Sequence, residues 1–384
     1  MELFNVYSLY PVEPVRGRGC FVYDTAGTEY LDLYGGHAVI SIGHAHPDYV
    51  RAVSEQVARL GFYSNSVENP LQTRLAEKLG RISGYADYSL FLCNSGAEAN
   101  ENALKLASFH TGRAKVLSFT KAFHGRTYAT MAATGQERFQ DGFAPIPDGF
   151  KTVPWGDLSV LEAAITPKTA AVLVEIVQGE GGIRPMHAEY AKGIEALCRK
   201  KGILFLVDEV QGGLFRTGKP WAFQHFDLKP DAISCAKALA NGLPMGAMMT
   251  TDEVSKGFVA GSHATTFGGG ALTSAVAAKV VQIMKRDHLD ERAASLGGEF
   301  MESIRRISES HPGTIKEVRG LGLMIGIELA FPAKAVWEEL IRRGFICNLS
   351  HEVVLRLLPA LNIPEEDLRA FADTLEDILA NIKK

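Results

Sequence analysis

The sequence predicts an α/β fold: a large domain on a mainly parallel sheet, joined to a smaller α+β domain. Two observations lead to it. From about Pro47 to Gly270, short apolar runs alternate with helix-length stretches, the pattern of parallel strands buried on both faces. Beyond that point a long helical stretch gives way to closely spaced short strands and one last helix.

In chain order, residues 20–33 alternate around Asp24-Thr25-Ala26-Gly27-Thr28 and read as a hairpin. Helices are expected over 48–60 (stopped by Gly61), 70–80, 97–110, 188–201 and 271–286. Strands are expected at Ser89–Cys93, Lys115–Phe119, Ala171–Ile176, Leu204–Asp208 and Ala232–Cys235. A helix near 289–310 then precedes strands at Glu317–Arg319, Met324–Leu329, Ile346–Leu349 and Val353–Leu357, and a helix over 365–382. No repeat or low-complexity linker divides the chain, so the element pattern sets the boundaries: 46–270 for the large domain and 271–384 for the small one. Residues 1–45 are expected to join the small domain.

Composition narrows the function. The 384 residues are 46% hydrophobic and 22% charged with a net charge of −4, which excludes a disordered or fibrous chain. Lys+Arg 40 against Asp+Glu 44 leaves no basic footprint for nucleic acid or an anionic membrane. Cys20, Cys93, Cys198, Cys235 and Cys347 are odd in number and scattered without a C-x-x-C pair. That argues against disulfides and metal sites and for a reducing compartment. The N-terminal Met1-Glu2-Leu3-Phe4-Asn5 lacks a signal-peptide pattern, and apolar runs fall short of the roughly 20 residues of a membrane span. A cytoplasmic location is therefore expected. The unusual number is 38 glycines, about a tenth of the chain.

In an open parallel sheet, ligands bind at the carboxyl ends of the strands, and three such ends carry chemistry. Asn94-Ser95-Gly96-Ala97-Glu98-Ala99-Asn100 opens a helix whose free N–H groups and dipole suit a phosphate; the alternative is a plain capping box, Ser95 with Glu98. Leu206-Val207-Asp208-Glu209 ends an apolar strand in two carboxylates that face opposite ways. Cys235-Ala236-Lys237 sets a lysine at a buried strand end, where desolvation lowers its pKa and makes the amine nucleophilic. Two loops join them: Phe123-His124-Gly125-Arg126-Thr127 and Thr265-Thr266-Phe267-Gly268-Gly269-Gly270. A phosphate cradle, an acid and a lysine around one sheet are the inventory for pyridoxal 5′-phosphate, which needs a Schiff-base lysine and an acidic partner for its ring nitrogen.

At these residues the chain resembles the class III aminotransferases of fold type I, and most closely the acetylornithine aminotransferases. Seven ordered motifs between Gly27 and Pro359 carry the resemblance. They are Leu31-Asp32-Leu33 with Gly35-Gly36 and Gly43-His44-Ala45-His46-Pro47; the Asn94–Asn100 run with Phe123–Thr127; Val177-Gln178-Gly179-Glu180-Gly181-Gly182; Asp208-Glu209-Val210-Gln211; Ala236–Gly242; Thr266-Phe267-Gly268-Gly269; and Val354-Leu355-Arg356-Leu357-Leu358-Pro359.

The resemblance implies a seven-stranded sheet and the following roles. Lys237 carries the cofactor and shuttles the proton. Asp208 pairs with the ring nitrogen, Gln211 with the phenolic oxygen, and Phe123, beside His124, stacks on the ring. Ser95, Gly96 and Ala97 hold the phosphate, which Thr266 reaches from a second subunit, so a homodimer with shared sites is implied. Arg356 binds the α-carboxylate of glutamate or 2-oxoglutarate, Arg126 holds the other carboxylate, and Glu180 pairs with Arg356 when no carboxylate is there. The implied reaction moves the δ-amino group of N2-acetylornithine, or a similar N2-acylornithine, to 2-oxoglutarate in arginine biosynthesis. Alternatives are another ω-amine (succinylornithine, ornithine or 4-aminobutyrate), a racemase or aminomutase, and a nucleotide-binding module. The chain departs from the family at Ala97 (usually Thr), Ile176 (usually Pro) and His37 (usually Ile). Ornithine aminotransferases carry a substrate-binding tyrosine near Gly36, and its absence argues for an N-acylated amine. The glycines of the site loops are expected to let backbone approach a ligand.

Overall fold

The computed structural model describes residues 1–381. Its centre is a seven-stranded sheet ordered Ser89–Cys93, Gly246–Thr250, Ala232–Cys235, Leu204–Asp208, Thr169–Val174, Lys115–Phe119, Phe150–Val153. Gly246–Thr250 runs antiparallel to both its neighbours and the other strands are mutually parallel. The inner strands Thr169–Val174, Leu204–Asp208 and Ala232–Cys235 are buried at every position, as expected of strands covered on both faces.

Capping explains where the flanking helices begin and end. Asn69 accepts the Leu71 N–H before Pro70–Ser83, and Ser95 accepts the Glu98 N–H before Gly96–Thr111. Left-handed Gly84, Gly112 and Gly202 terminate Pro70–Ser83, Gly96–Thr111 and Ala188–Lys201. The first expected helix runs Pro47–Arg59 and stops at Leu60, just before Gly61. Ala271–Arg286 and Leu289–Ser310 lie where expected. The last helix is Glu365–Asn381, its expected final residue 382 lying outside the described residues.

Two four-stranded sheets and a two-stranded one, Val177–Gln178 with Arg184–Pro185, complete the fold. Pro14–Arg18, Phe21–Asp24 and Glu29–Asp32 form an antiparallel ribbon, and Glu29–Asp32 pairs in parallel with Phe345–Ile346, tying the N-terminal strands to a late one. Ile315–Leu321, Met324–Leu329, Val354–Leu357 and Asn348–Ser350 form the other, antiparallel throughout. The strand expected at Ile346–Leu349 is thus two short strands in different sheets, broken at Cys347. Strands Phe150–Val153 and Gly246–Thr250 were not expected. No helix among the described residues is long and apolar enough to cross a membrane, and all five cysteines are buried and free. Burial raises the Cys20, Cys93 and Cys347 thiols to about 12, which makes them apolar core residues in effect.

Candidate active site

A cavity of about 420 Å³ lies at the carboxyl ends of the parallel strands. Ser95, Gly96, Ala97, Phe123, His124, Arg126, Glu180, Asp208, Gln211 and Lys237 all line it, together with Asn100 and Glu175. Of the residues singled out from the sequence, Arg356 and Thr266 do not.

At the start of Gly96–Thr111, Ser95 Oγ accepts the Glu98 N–H at 3.1 Å. The Glu98 carboxylate reaches back to the N–H and side-chain amide of Asn94, at 2.5 and 2.9 Å, rather than to Ser95. The Gly96 and Ala97 N–H groups have no hydrogen-bond partner among the described residues. Capped by Ser95 only at Glu98, the first turn leaves these two N–H donors and the positive end of the dipole for an anion.

Asp208 ends its strand almost wholly buried, and its carboxylate is held from several sides. Asn100 Nδ2 donates to Oδ2 at 2.7 Å, His124 Nδ1 lies 2.8 Å from the same oxygen, and the Val210 N–H donates to Oδ1 at 3.0 Å. Adjacent Glu209 faces the other way, as strand alternation requires, and accepts the Ala222 and Phe223 N–H groups. Burial raises its carboxyl to about 8. Glu175, one residue past Thr169–Val174, accepts the Phe123 and Gly179 N–H groups, both at 3.0 Å. Burial is the main reason its carboxyl rises to about 7, and the Asp208 charge adds to the rise. Neither Glu175 nor Asn100 was singled out from the sequence. A carboxylate embedded in the apolar run Ala170–Ile176 was the available signal, because a buried acid needs partners.

Lys237 sits just past Ala232–Cys235 in a left-handed conformation, φ 42°. It is half-buried at the cavity, and desolvation lowers its pKa against the raising pull of Glu180 and Asp208. Its Nζ has no hydrogen-bond partner among the described residues. Phe123 packs edge-on against Phe139 at 5.4 Å, while the exposed Arg126 stacks its guanidinium over Phe139 at 4.0 Å.

Arg356, on Val354–Leu357, is fully buried behind the cavity. Its Nη1 lies 2.9 Å from Glu180 Oε1, and Nη2 donates to Gln211 Oε1 at 3.4 Å. Nε has no hydrogen-bond partner among the described residues. Burial would raise the Glu180 carboxyl, but Arg356, followed by His37 and Lys237, holds it well below the usual carboxylate range. Thr266 is exposed beside Phe267, which is 66% exposed and packs on Phe62. Asn65 and Gln72 pin this loop through the Thr265, Gly268 and Gly269 carbonyls.

One expectation needs correction. The glycines of the site loops serve the protein's packing on itself. A Cβ at Gly96 would strike Val210, at Gly125 Thr130, at Gly179 Gln211, at Gly181 Gln178, and at Gly268 the Leu92 carbonyl. Gly182 and Gly242 leave their Cβ positions without close contacts, the nearest atoms being at 3.4 and 3.8 Å. Tyr34 stands near Gly36, its ring 4.6 Å from His37, but it does not line the cavity.

The donor set fits pyridoxal 5′-phosphate: a free helix N-terminus, a multiply anchored carboxylate and a desolvated lysine share one cavity. The class-III aminotransferase family model matches residues 5–379. The chain belongs to that family. It is an aminotransferase of fold type I whose cofactor is pyridoxal 5′-phosphate. It is 41% identical to an acetylornithine aminotransferase of Methanocaldococcus jannaschii, over 99% of this chain and 96% of that one. Among solved structures, the ornithine aminotransferase of Toxoplasma gondii is similar with a TM-score of 0.94 and 32% identity, over 98% of this chain and 92% of that one. The acetylornithine aminotransferase of Elizabethkingia anophelis is similar with a TM-score of 0.87 and 30% identity, over 99% and 96%.

Proposed function

We propose that this cavity moves the δ-amino group of an N2-acylornithine, N2-acetylornithine in the first instance, to 2-oxoglutarate in arginine biosynthesis, giving the N-acylglutamate semialdehyde and glutamate. The reading is supported by the ion pair of buried Arg356 with Glu180 at 2.9 Å, a carboxylate receptor already facing a carboxylate of the protein's own. Pyridoxal 5′-phosphate supplies the electron-withdrawing ring that carries the amino group between the two half-reactions.

The chain's residues supply the rest. Lys237 Nζ, whose pKa desolvation lowers, is the nucleophile and the base that moves the proton at the reacting carbon. Asp208, held by Asn100, His124 and the Val210 N–H, keeps a proton on the ring nitrogen. Gln211 would hydrogen-bond the phenolic oxygen and Phe123 would stack on the ring, a contact worth about 0.5–1.5 kcal/mol beyond burial. Ser95 Oγ with the Gly96 and Ala97 N–H groups binds the phosphate. Arg356 takes the α-carboxylate of glutamate or 2-oxoglutarate as a fork, Arg126 takes the other carboxylate, and Glu180 neutralises Arg356 in the amine half-reaction.

Thr266 would reach the phosphate of a second copy, in a cytoplasmic homodimer with shared sites. Exposed Phe62, Tyr63, Val67, Val259 and Phe267 support such an interface.

The test is a substrate panel with 2-oxoglutarate as acceptor. N-acylornithines are expected to give the highest kcat/KM. The likeness to a solved ornithine aminotransferase makes free ornithine the second reading, and a preference for it would overturn the first.

A further inference from the structure

Glu180 faces two basic side chains. Its Oε1 lies 2.9 Å from Arg356 Nη1 and 3.6 Å from His37 Nδ1. Arg356 is fully buried, whereas the His37 side chain is 51% exposed. The Glu180 backbone is anchored: Ser350 and His351 bond its carbonyl, and the preceding Gly179 N–H is held by Glu175. What remains free to move is the side chain.

His37 is also held in place. It lies in a run of positive φ, with Gly36 at 55°, His37 at 66° and Ala38 at 67°, a conformation costly for most side chains and more tolerable for His. Gln211 Nε2 donates to its carbonyl at 3.2 Å. Its ring packs edge-on against Tyr34, which touches Tyr10 at 5.9 Å, and Tyr10 packs on Trp337 at 4.9 Å. A row of aromatics from the N-terminal segment and the Lys334–Arg342 helix thus backs the imidazole.

Resting on the reading of Arg356 as the dicarboxylate receptor, we propose that His37 is the second partner of Glu180: when a substrate carboxylate displaces Glu180 from Arg356, the carboxylate turns to the His37 imidazole. A displaced carboxylate in so closed a place is costly without a partner. His37 offers an N–H donor, and a cation when protonated, 3.6 Å from the carboxylate. It is a positioning residue, acting through Glu180 and only in the half-reaction that fills Arg356. The isoleucine usual here in the family could not do this.

The test measures both half-reactions on the cofactor-loaded enzyme, by single-turnover absorbance. His37→Leu is expected to raise KM for 2-oxoglutarate and glutamate about tenfold, as loss of a hydrogen bond to a charged group would. KM and rate with the N-acylornithine should hold within about twofold. His37→Asn, which tolerates positive φ and keeps a donor, should recover most of the loss. In a Glu180→Ala background, His37→Leu should change neither KM. Equal effects on both half-reactions, or an undiminished effect without Glu180, would overturn the proposal. Arg356→Ala separates it from the reading beneath. If that variant leaves KM for 2-oxoglutarate unchanged, the receptor reading fails. If it raises that KM while His37→Leu does not, only the role of His37 fails.

Discussion

The two walls of the cavity are built on opposite plans. On the Asp208 wall, side chains come from the ends of central strands and the first turns of a long helix, and the carboxylate has three protein partners within 3.0 Å. On the Arg356 wall, side chains come from a loop, a short strand of a different sheet and a left-handed turn near the N-terminus. There one carboxylate stands between two basic groups, and Arg356 Nε stays without a partner. A carboxylate held by three fixed donors has one arrangement, whereas a carboxylate shared between two basic groups has two. The first suits a resident cofactor. The second suits two substrates that differ by a carboxylate at one point.

Breaking the fixed wall should have the largest effect. Lys237→Ala is expected to lower turnover at least about a thousandfold and to abolish the visible absorbance of the cofactor-loaded enzyme; a variant that keeps both removes Lys237 from the chemistry. Arg356→Ala should lower kcat/KM for 2-oxoglutarate by about thirtyfold or more, the loss of one side of a buried charged pair, while the amine half-reaction loses less. Steady-state kinetics with each substrate varied in turn reads the difference. Phe123→Leu should weaken cofactor retention by up to about tenfold, the size of a lost stacking contribution, measured by equilibrium dialysis.

The smallest effect lies behind the wall and concerns pH. Buried Glu209 keeps its proton up to about pH 8, whereas the unfolded chain releases it near the usual carboxyl value. The folded state therefore binds more protons between these values, and stability falls as pH rises through that window. Glu209→Gln should flatten this part of the Tm-against-pH curve. A parallel curve would show that another group, Glu175 first, carries the dependence.

The fixed wall was largely legible in the sequence, and the switchable one only through resemblance. Ser89–Cys93, Lys115–Phe119, Leu204–Asp208 and Ala232–Cys235 are short, uninterrupted apolar runs, so their carboxyl ends and the residues just past them could be found. Phe150–Val153 was missed because it is an edge strand with an exposed Lys151. Gly246–Thr250 was missed because Gly, Ala and Met give a weak strand signal, and its burial comes from neighbours distant in sequence. Asn100 was hidden inside a helical pattern. Its use becomes visible only when Asp208, 108 positions later, comes within 2.7 Å. His37, visible in the sequence only as a departure from the family, meets Glu180 through tertiary structure.

The measurement closest to the central claim is Glu180→Ala, followed in both half-reactions. With Glu180 gone, Arg356 stands permanently free. Opposite changes are expected: kcat/KM for 2-oxoglutarate rises as its KM falls, and kcat/KM for the N-acylornithine falls, since an unneutralised guanidinium then faces a substrate with no carboxylate for it. Unchanged constants, or an equal loss of kcat/KM for both substrates, would contradict a cavity with one fixed wall and one that switches.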